Sequence, residues 1–386
     1  MPVTTRPIIS ERAYWVAWSQ AGGLGPVTLK RLHNHFGCLA TAWQAAASEL
    51  LEVEGIGPTL GSSLAEYRQR VCPGDLLTAQ ERRHPNFWTP ADPEYPALLF
   101  EIADPPPLLY YRGCPELALA LQALPSVAVV GTRAPSDYGQ RWTRRLVQEL
   151  VAQDVVIVSG LASGIDREAH SQALEKGGRT IAVIGTGVDQ TYPWSNRHLQ
   201  YRIAQEGLLL SEYENGTPPD RVHFPRRNRI IAGLSRIVAV TEAPLRSGAL
   251  ITARLANDYG RDVFALPGCL DNPASLGCLD LIRQGAELIM DETTLIQALG
   301  KMPRLDTTAP TKSDKISPEP SLPLFSATSV GADLQGLLGA IGQAPMTIDQ
   351  IALKVEKPTS ELLSSLAQLE LMGLITLLPG MRYQRR

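Results

Sequence analysis

Between Val127 and Met290 the chain alternates short, almost wholly apolar runs with longer stretches whose apolar residues recur at helical spacing. The apolar runs are Val127 to Val130, Val155 to Val158, Thr180 to Ile184, Leu208 to Ser211, Ile237 to Thr241, Asp262 to Leu266 and Glu287 to Met290. Between them lie Gln140 to Ala152, Arg167 to Lys176, Arg197 to Gln205 and Ile251 to Tyr259. A strand that is apolar on both faces must be covered on both faces, and helical crossovers supply that cover while keeping the strands parallel. The pattern predicts an α/β fold, a Rossmann-like doubly wound, mostly parallel sheet. In such a sheet ligands bind beyond the carboxyl ends of the strands.

Flanking segments have a different texture. A chain of 386 residues has room for two to four domains at about 100–200 residues each. Residues 1–84 read as short helices in which Gly23-Leu24-Gly25-Pro26 recurs as Gly55-Ile56-Gly57-Pro58. This is the layout of a SAM-like or helix-hairpin-helix domain, whose glycines let backbone amides approach a phosphate. It equally suits a small helical bundle that uses Gly-Pro as a turn. Residues 85–300 are the Rossmann-like domain, entered through a proline-rich passage from Pro90 to Pro107. Residues 301–328 carry five prolines and no hydrophobic period and read as a linker. In residues 329–386, Leu334 to Ile341, Thr347 to Val355 and Thr359 to Met372 have helical periods, and residues 373–383 suit a hairpin, which together predict a winged helix.

The strand ends share one chemistry. The first strand exits into Gly131-Thr132-Arg133, the second into Ser159-Gly160-Leu161-Ala162-Ser163-Gly164-Ile165-Asp166, the third into Gly185-Thr186-Gly187, and a later one is followed by Ser247-Gly248. Small and hydroxyl residues there leave amides accessible to anions. Ser163 and Asp166 also match capping-box spacing and equally suit a plain helix start. From Arg221 to Arg236 there are five arginines (Arg221, Arg226, Arg227, Arg229 and Arg236) and no acid, in a chain whose net charge is −3. Guanidinium groups suit phosphate oxygens, and Phe224 within the same run offers a ring for a base to stack on. The combination points to single-stranded nucleic acid. Its competitor is an internal arginine network pairing with Glu212, Glu214 and Glu242.

An enzymatic reading rests on Asp166, Asp189, Glu212 and Glu242, which follow predicted strands and would hold Mg²⁺ if two or more converged on a bound phosphate. The alternative function is therefore a nucleotide- or DNA-processing hydrolase on the same rim. The sequence contains no P-loop, no H-E-x-x-H and no G-x-S-x-G elbow. Its six histidines lack metal-ligand spacing, and His170 reads as a packed side chain. Five cysteines without a C-x-x-C pair fit neither a disulfide scaffold nor a cysteine zinc site. No cofactor is expected. With no apolar run near membrane-span length and no signal-peptide core before Gly22, the expectation is a soluble, cytoplasmic protein without membrane contact. Between Asp333 and Arg386, acids and bases balance, so the winged helix is expected to make protein contacts or weak DNA contacts rather than to be the main reader.

Six ordered motifs resemble the DNA-processing protein A (DprA/Smf) family: Val129-Val130-Gly131-Thr132-Arg133, the Ser159-to-Asp166 loop, Gly185-Thr186-Gly187 followed by Tyr192-Pro193, Phe224-Pro225-Arg226-Arg227-Asn228-Arg229 with Ile230-Ile231-Ala232-Gly233, Ser247-Gly248-Ala249-Leu250-Ile251-Thr252-Ala253, and Leu266-Pro267-Gly268. Thr132 departs from the family's usual Ser but keeps the hydroxyl. The resemblance implies a single-stranded DNA-binding homodimer that is not an enzyme and that helps load the RecA recombinase during natural transformation. It implies phosphate contacts from Arg133 and from Arg226, Arg227, Asn228 and Arg229, with Arg221 in the same basic run. Phe224 would stack on a base, and amide donors would come from the Gly131-Thr132, Ser163-Gly164 and Ser247-Gly248 turns.

Overall fold

The valine- and isoleucine-rich runs pair with one another because neither of their faces tolerates water. The computed structural model describes residues 9–301 and, in the C-terminal block, 332–342, 346–355, 357, 362, 365, 366, 369, 374–378 and 382–385. Residues 9–301 form one unit and the C-terminal block a second.

The first unit opens with helices α1 (Glu11–Ser19), α2 (Pro26–Phe36), α3 (Leu39–Gln44), α4 (Ala47–Leu50), α5 (Pro58–Arg70) and α6 (Pro73–Arg83). Both Gly-x-Gly-Pro copies start a helix, with Gly25 and Gly57 as extended N-caps and the proline in the first turn, a position where its missing N–H costs nothing. These helices enclose Trp15, Trp18, Leu29, Leu32 and Leu64. The bases that a phosphate-binding hairpin would use are engaged elsewhere. Lys30 donates to the carbonyls of Glu101 and Ile102 at 2.9 and 2.7 Å, and Arg31 pairs with Glu54 at 3.2 Å. The small-bundle reading of this segment is the one its contacts favour. Val16 packs with Phe87 and Tyr110, so the bundle is seated on the sheet that follows.

That sheet contains β1 (Phe87–Trp88), β2 (Leu109–Gly113), β3 (Ser126–Gly131), β4 (Val156–Ser159), β5 (Thr180–Val183), β6 (Leu208–Ser211), β7 (Ile237–Glu242), β8 (Asp262–Ala265) and β9 (Glu287–Leu288), in the spatial order β1-β2-β6-β5-β4-β3-β7-β8-β9. From β6 through to β9 every pairing is parallel; β1 and β2 add an antiparallel edge. Helices α7 (Ala97–Phe100) and α8 (Glu116–Ala123) flank β2. The crossovers are α9 (Asp137–Ala152), α10 (Ile165–Glu175), α11 (Arg197–Glu206), α12 (His223–Gly233), α13 (Ala249–Asp258) and α14 (Leu276–Arg283), and α15 (Thr294–Lys301) closes the unit.

Side chains alternate between faces along each strand. Ala128, Val130, Val238 and Val240 pack with Ile230 and Ile231 of α12 and Ala253 of α13. Val127, Val129, Ile237 and Ala239 pack with Leu146 and Leu150 of α9 and Ala169 of α10. The chain winds outward from β3 to β6, then returns so that β7 lies against the other side of β3. The switch point therefore falls between β3 and β7, which is where a doubly wound sheet opens a crevice.

In the second unit α16 (Ala332–Ala340), β10 (Met346–Thr347), α17 (Ile348–Val355), β11 (Ile375–Leu378) and β12 (Arg382–Arg385) form a helical and three-stranded unit around Leu337, Ile351, Leu362, Leu366 and Leu369. The order matches the predicted winged helix. The linker at 301–328, apart from Lys301, lies outside the described residues, as does most of the predicted helix from Thr359 to Met372.

Candidate nucleic-acid interface

A groove of about 640 Å³ opens at the β3/β7 switch point, and a smaller pocket of about 90 Å³ joins it through shared walls at Arg133, Ala162, Tyr192, Phe224 and Arg227. Three loops meet there because β3, β4 and β7 are adjacent. Gly131, Thr132 and Arg133 come from the end of β3, Ser163 from the loop after β4, and Ser247 and Gly248 from the start of α13. The β3 and β4 loops touch directly, the Ile165 amide donating to the Thr132 carbonyl at 3.1 Å. Gly164 has φ of +81°, and a Cβ there would overlap the Thr132 carbonyl oxygen, so its role is to let the two loops close on each other. Among the described residues the amides of Ser163, Gly164 and Gly248 make no hydrogen bond, which leaves donors beside the groove for an anion.

Asp166 does not complete the capping box with Ser163. The helix begins at Ile165 with Gly164 as N-cap, and the Asp166 carboxylate turns back to accept from the amides of Gly160 (3.2 Å) and Ala162 (3.3 Å). Burial raises its pKa, opposed by the Arg227 guanidinium. Arg227 lies fully beneath the rim, donating to the carbonyl of Gly160 at 2.6 Å and to that of Val183, and burial lowers its pKa to about 10. Gly160 makes room for it, since a Cβ there would stand 2.6 Å from Arg227 Nη1.

The basic run is a helix, and this decides which arginines are available. Arg221, Arg226, Arg133 and Arg246 are exposed. Of these Arg133, Arg221 and Arg246 line the groove, whereas Arg226 does not. Arg227, Asn228 and Arg229 are on the buried side of α12. Arg227 and Asn228 form part of the groove wall. Arg229 lies off the groove, its Nη2 2.8 Å from Glu212 and its Nε 3.0 Å from Asp104, with a side chain only 5% exposed. With three of its five N–H groups directed at two carboxylates and its side chain buried, this guanidinium is already neutralised and is not presented to a phosphate. The internal-network reading therefore describes Arg229 and Glu212. Glu214 instead faces His84 at 3.4 Å, and Glu242 accepts from the Ser136 amide and hydroxyl.

Phe224 stands in the centre of this arrangement. The Arg133 guanidinium is 5.8 Å from its ring centroid and the Tyr192 ring 5.1 Å away. His223 Nδ1 is 3.1 Å from the Gly185 carbonyl and its ring stacks on Tyr213 at 3.9 Å, which fixes the first turn of α12. Sequence reasoning did not name Arg246, and it named Tyr192 only within a motif and not as a contact. Their signal was position, one beside the Ser247-Gly248 turn and the other after Gly185-Thr186-Gly187. The four carboxylates considered as metal ligands face other partners, Asp189 accepting from the Gly216 amide at 2.8 Å. Among the described residues no group of three or more His, Cys, Asp or Glu side chains is placed to hold a metal.

Residues 86–300 match the family model described as DNA recombination-mediator protein A, and residues 319–381 match that of the DprA winged helix domain. Protein Smf of Synechocystis sp. is 46% identical over 98% of this chain and 99% of its own length. DNA processing protein DprA of Streptococcus pneumoniae is 50% identical over 55% of this chain and 73% of its own. The X-ray structure of the S. pneumoniae protein superposes with a TM-score of 0.63 at 38% identity, covering 75% of this chain and 98% of that one. A solved structure of DNA processing protein A from Helicobacter pylori, concerned with its single-stranded DNA binding mode, gives a TM-score of 0.50 at 36% identity, covering 56% of this chain and 96% of that one. With the switch-point groove, the ordered motifs on its rim and a family model spanning more than half of the sequence all in agreement, this chain belongs to the DNA recombination-mediator protein A (DprA/Smf) family.

Proposed function

We propose that the groove binds single-stranded DNA with little sequence preference, protects incoming strands and presents them to the RecA recombinase in natural transformation and homologous recombination. The observation that carries this reading is the exposed triad of Arg133, Arg221 and Arg246 around Phe224, at the crevice of a doubly wound sheet. Guanidinium groups neutralise phosphates without regard to sequence, and a ring face accepts any base. The H. pylori relative, studied for its single-stranded DNA binding mode, supports the ligand class, and the family description as a recombination mediator supports the handover. Binding without catalysis is the reading: Asp166 lines the groove but its carboxylate accepts from two loop amides, and Glu212 and Glu242 are turned to protein partners off the groove. A homodimer is proposed through the edge of the sheet at β9, whose end carries Leu288 and Met290, 40% and 78% exposed; exposed apolar side chains on a sheet edge favour association. The cytoplasm is the proposed location, and no described helix is long and apolar enough to cross a membrane.

The test is a salt titration of binding to oligothymidylate. Three phosphate contacts give a log–log slope of about −2, at about −0.7 each, and replacing Arg133 and Arg221 with Ala is expected to flatten it to about −0.7. No binding at low salt, or an unchanged slope in the double variant, would reject the groove as the site. Handover is checked by whether the protein speeds RecA filament formation on strands coated with single-strand-binding protein.

A further inference from the structure

The segment after β5 carries a surface that the groove does not account for. From Thr191 to Ile203 there is no Asp or Glu. Its exposed side chains include Tyr192, Trp194, Arg197 and Tyr201, while Leu199, Gln200 and Ile203 form the buried face of α11. Large aromatic side chains are mostly buried in this protein, as Trp15, Trp18 and Trp88 are, yet Trp194 is 69% and Tyr201 62% exposed. Exposed rings of this size find their use in contact with a partner. The Arg197 guanidinium lies 5.3 Å from the Trp194 ring centroid, and Tyr201 follows Arg197 by one helical turn on the same face of α11. Arg202 is paired with Glu206 at 3.4 Å, whereas Arg197 has no carboxylate at salt-bridge distance among the described residues.

This strip is rigidly tied to the groove. Buried Asn196 donates from Nδ2 to the carbonyls of Leu161 (2.9 Å) and Ala162 (3.2 Å), and Ala162 is part of the groove wall. Gln200 donates to the Gln190 carbonyl at 2.8 Å. At its near end Tyr192 is itself in the groove beside Phe224. One aromatic series thus begins inside, at Phe224 and Tyr192, and continues outside at Trp194 and Tyr201 with a cation between them.

We infer that Trp194 and Tyr201 form a second stacking station for bases of the strand as it leaves the groove, with Arg197 contacting its phosphate. The inference rests on the groove reading above. It commits to single-stranded nucleic acid because continuity with the groove, absence of acids and ring faces beside a guanidinium are the features that such a strand uses, whereas a duplex keeps its base faces covered.

The full-length protein is titrated with labelled oligothymidylates of about 6 and about 20 nucleotides, lengths that bracket common single-strand site sizes. Trp194→Ala is expected to weaken the long strand about tenfold, to leave the short strand and the melting temperature unchanged, and to be largely rescued by Trp194→Phe. Arg197→Ala is expected to reduce the salt slope by about 0.7 on the long strand only. Parental affinity of Trp194→Ala for the long strand overturns the second station while leaving the groove intact. Equal losses on both lengths also overturn it, because Trp194 would then act through the groove. A parent protein that binds neither strand removes both readings together.

Discussion

Arg227 and Asp166 are charged groups in a place where charge is expensive, and each makes the other tolerable. Taking two ions out of water costs several kcal/mol apiece, which their mutual attraction offsets only if the remaining donors and acceptors are satisfied. Here Asp166 takes two loop amides and Arg227 two carbonyls, so the pair acts as a clamp on the loop rather than as a ligand contact. Beside it His170 is wholly buried, its Nδ1 2.7 Å from Thr180 Oγ1. Burial, reinforced by the Arg227 charge, lowers its pKa from the ordinary 6.5 to about 3. The imidazole therefore stays neutral in the folded protein while the unfolded chain takes up a proton below pH 6.5. Between those values the unfolded state binds more protons, so stability falls as pH falls, by up to about 1.4 kcal/mol per pH unit. Asp166, with its raised pKa, works in the opposite sense at the acid end. Melting temperatures of His170→Gln are expected to decline less between pH 7 and pH 4 than those of the parent, and superimposable acid profiles would contradict this account.

At the scale of elements, the loop from Ser159 to Gly164 owes its shape to α12 on one side and α10 on the other. Gly160→Ala places a methyl against a guanidinium that is held on both flanks, so Arg227 or the loop must move. The expected result is a lower melting temperature and a loss of strand affinity of several-fold with an unchanged salt slope, because no phosphate-contacting cation is removed. A variant that binds with parental affinity would show that the loop amides do not matter. The same element shows how far sequence could be read. The strands were legible because runs such as Val127 to Val130 and Ile237 to Thr241 are apolar on both faces, which only a covered sheet satisfies. The α12 helix was not, because its charge pattern hides its period. Arg226 and Arg229 are both arginines in one run, yet one meets solvent and the other meets Glu212 and Asp104. Those partners lie in other parts of the chain, so the distinction exists only after folding. β1 and β2 escaped notice because the edge pair is short and lies in proline-rich sequence. Arg246 escaped because a lone arginine on a loop has no local signature.

For the whole molecule, charge is distributed by unit rather than in bulk. The chain is net acidic at −3, and the cations that face the groove come from three separate loops, after β3, after β6 and after β7, which meet at the β3/β7 switch point. On the proposed reading of the groove, affinity for a polyanion is therefore a property of the first unit's topology. Residues 333–386 carry balanced charge and bury Leu337, Ile351 and Leu366 in a core of their own. A separate core means that removing this block exposes no apolar surface within the sheet domain's own core, and a balanced charge means that it removes no net attraction for phosphate. A fragment ending at residue 307 is expected to fold, to sediment as a dimer at micromolar concentration and to bind oligothymidylate within about twofold of the full chain with the same salt slope. A monomeric fragment would shift the dimer contact away from β9 and into the C-terminal unit. A fragment that folds but has lost the slope would mean that cations outside the groove carry the strand, and the convergence of Arg133, Arg221 and Arg246 would then need another ligand.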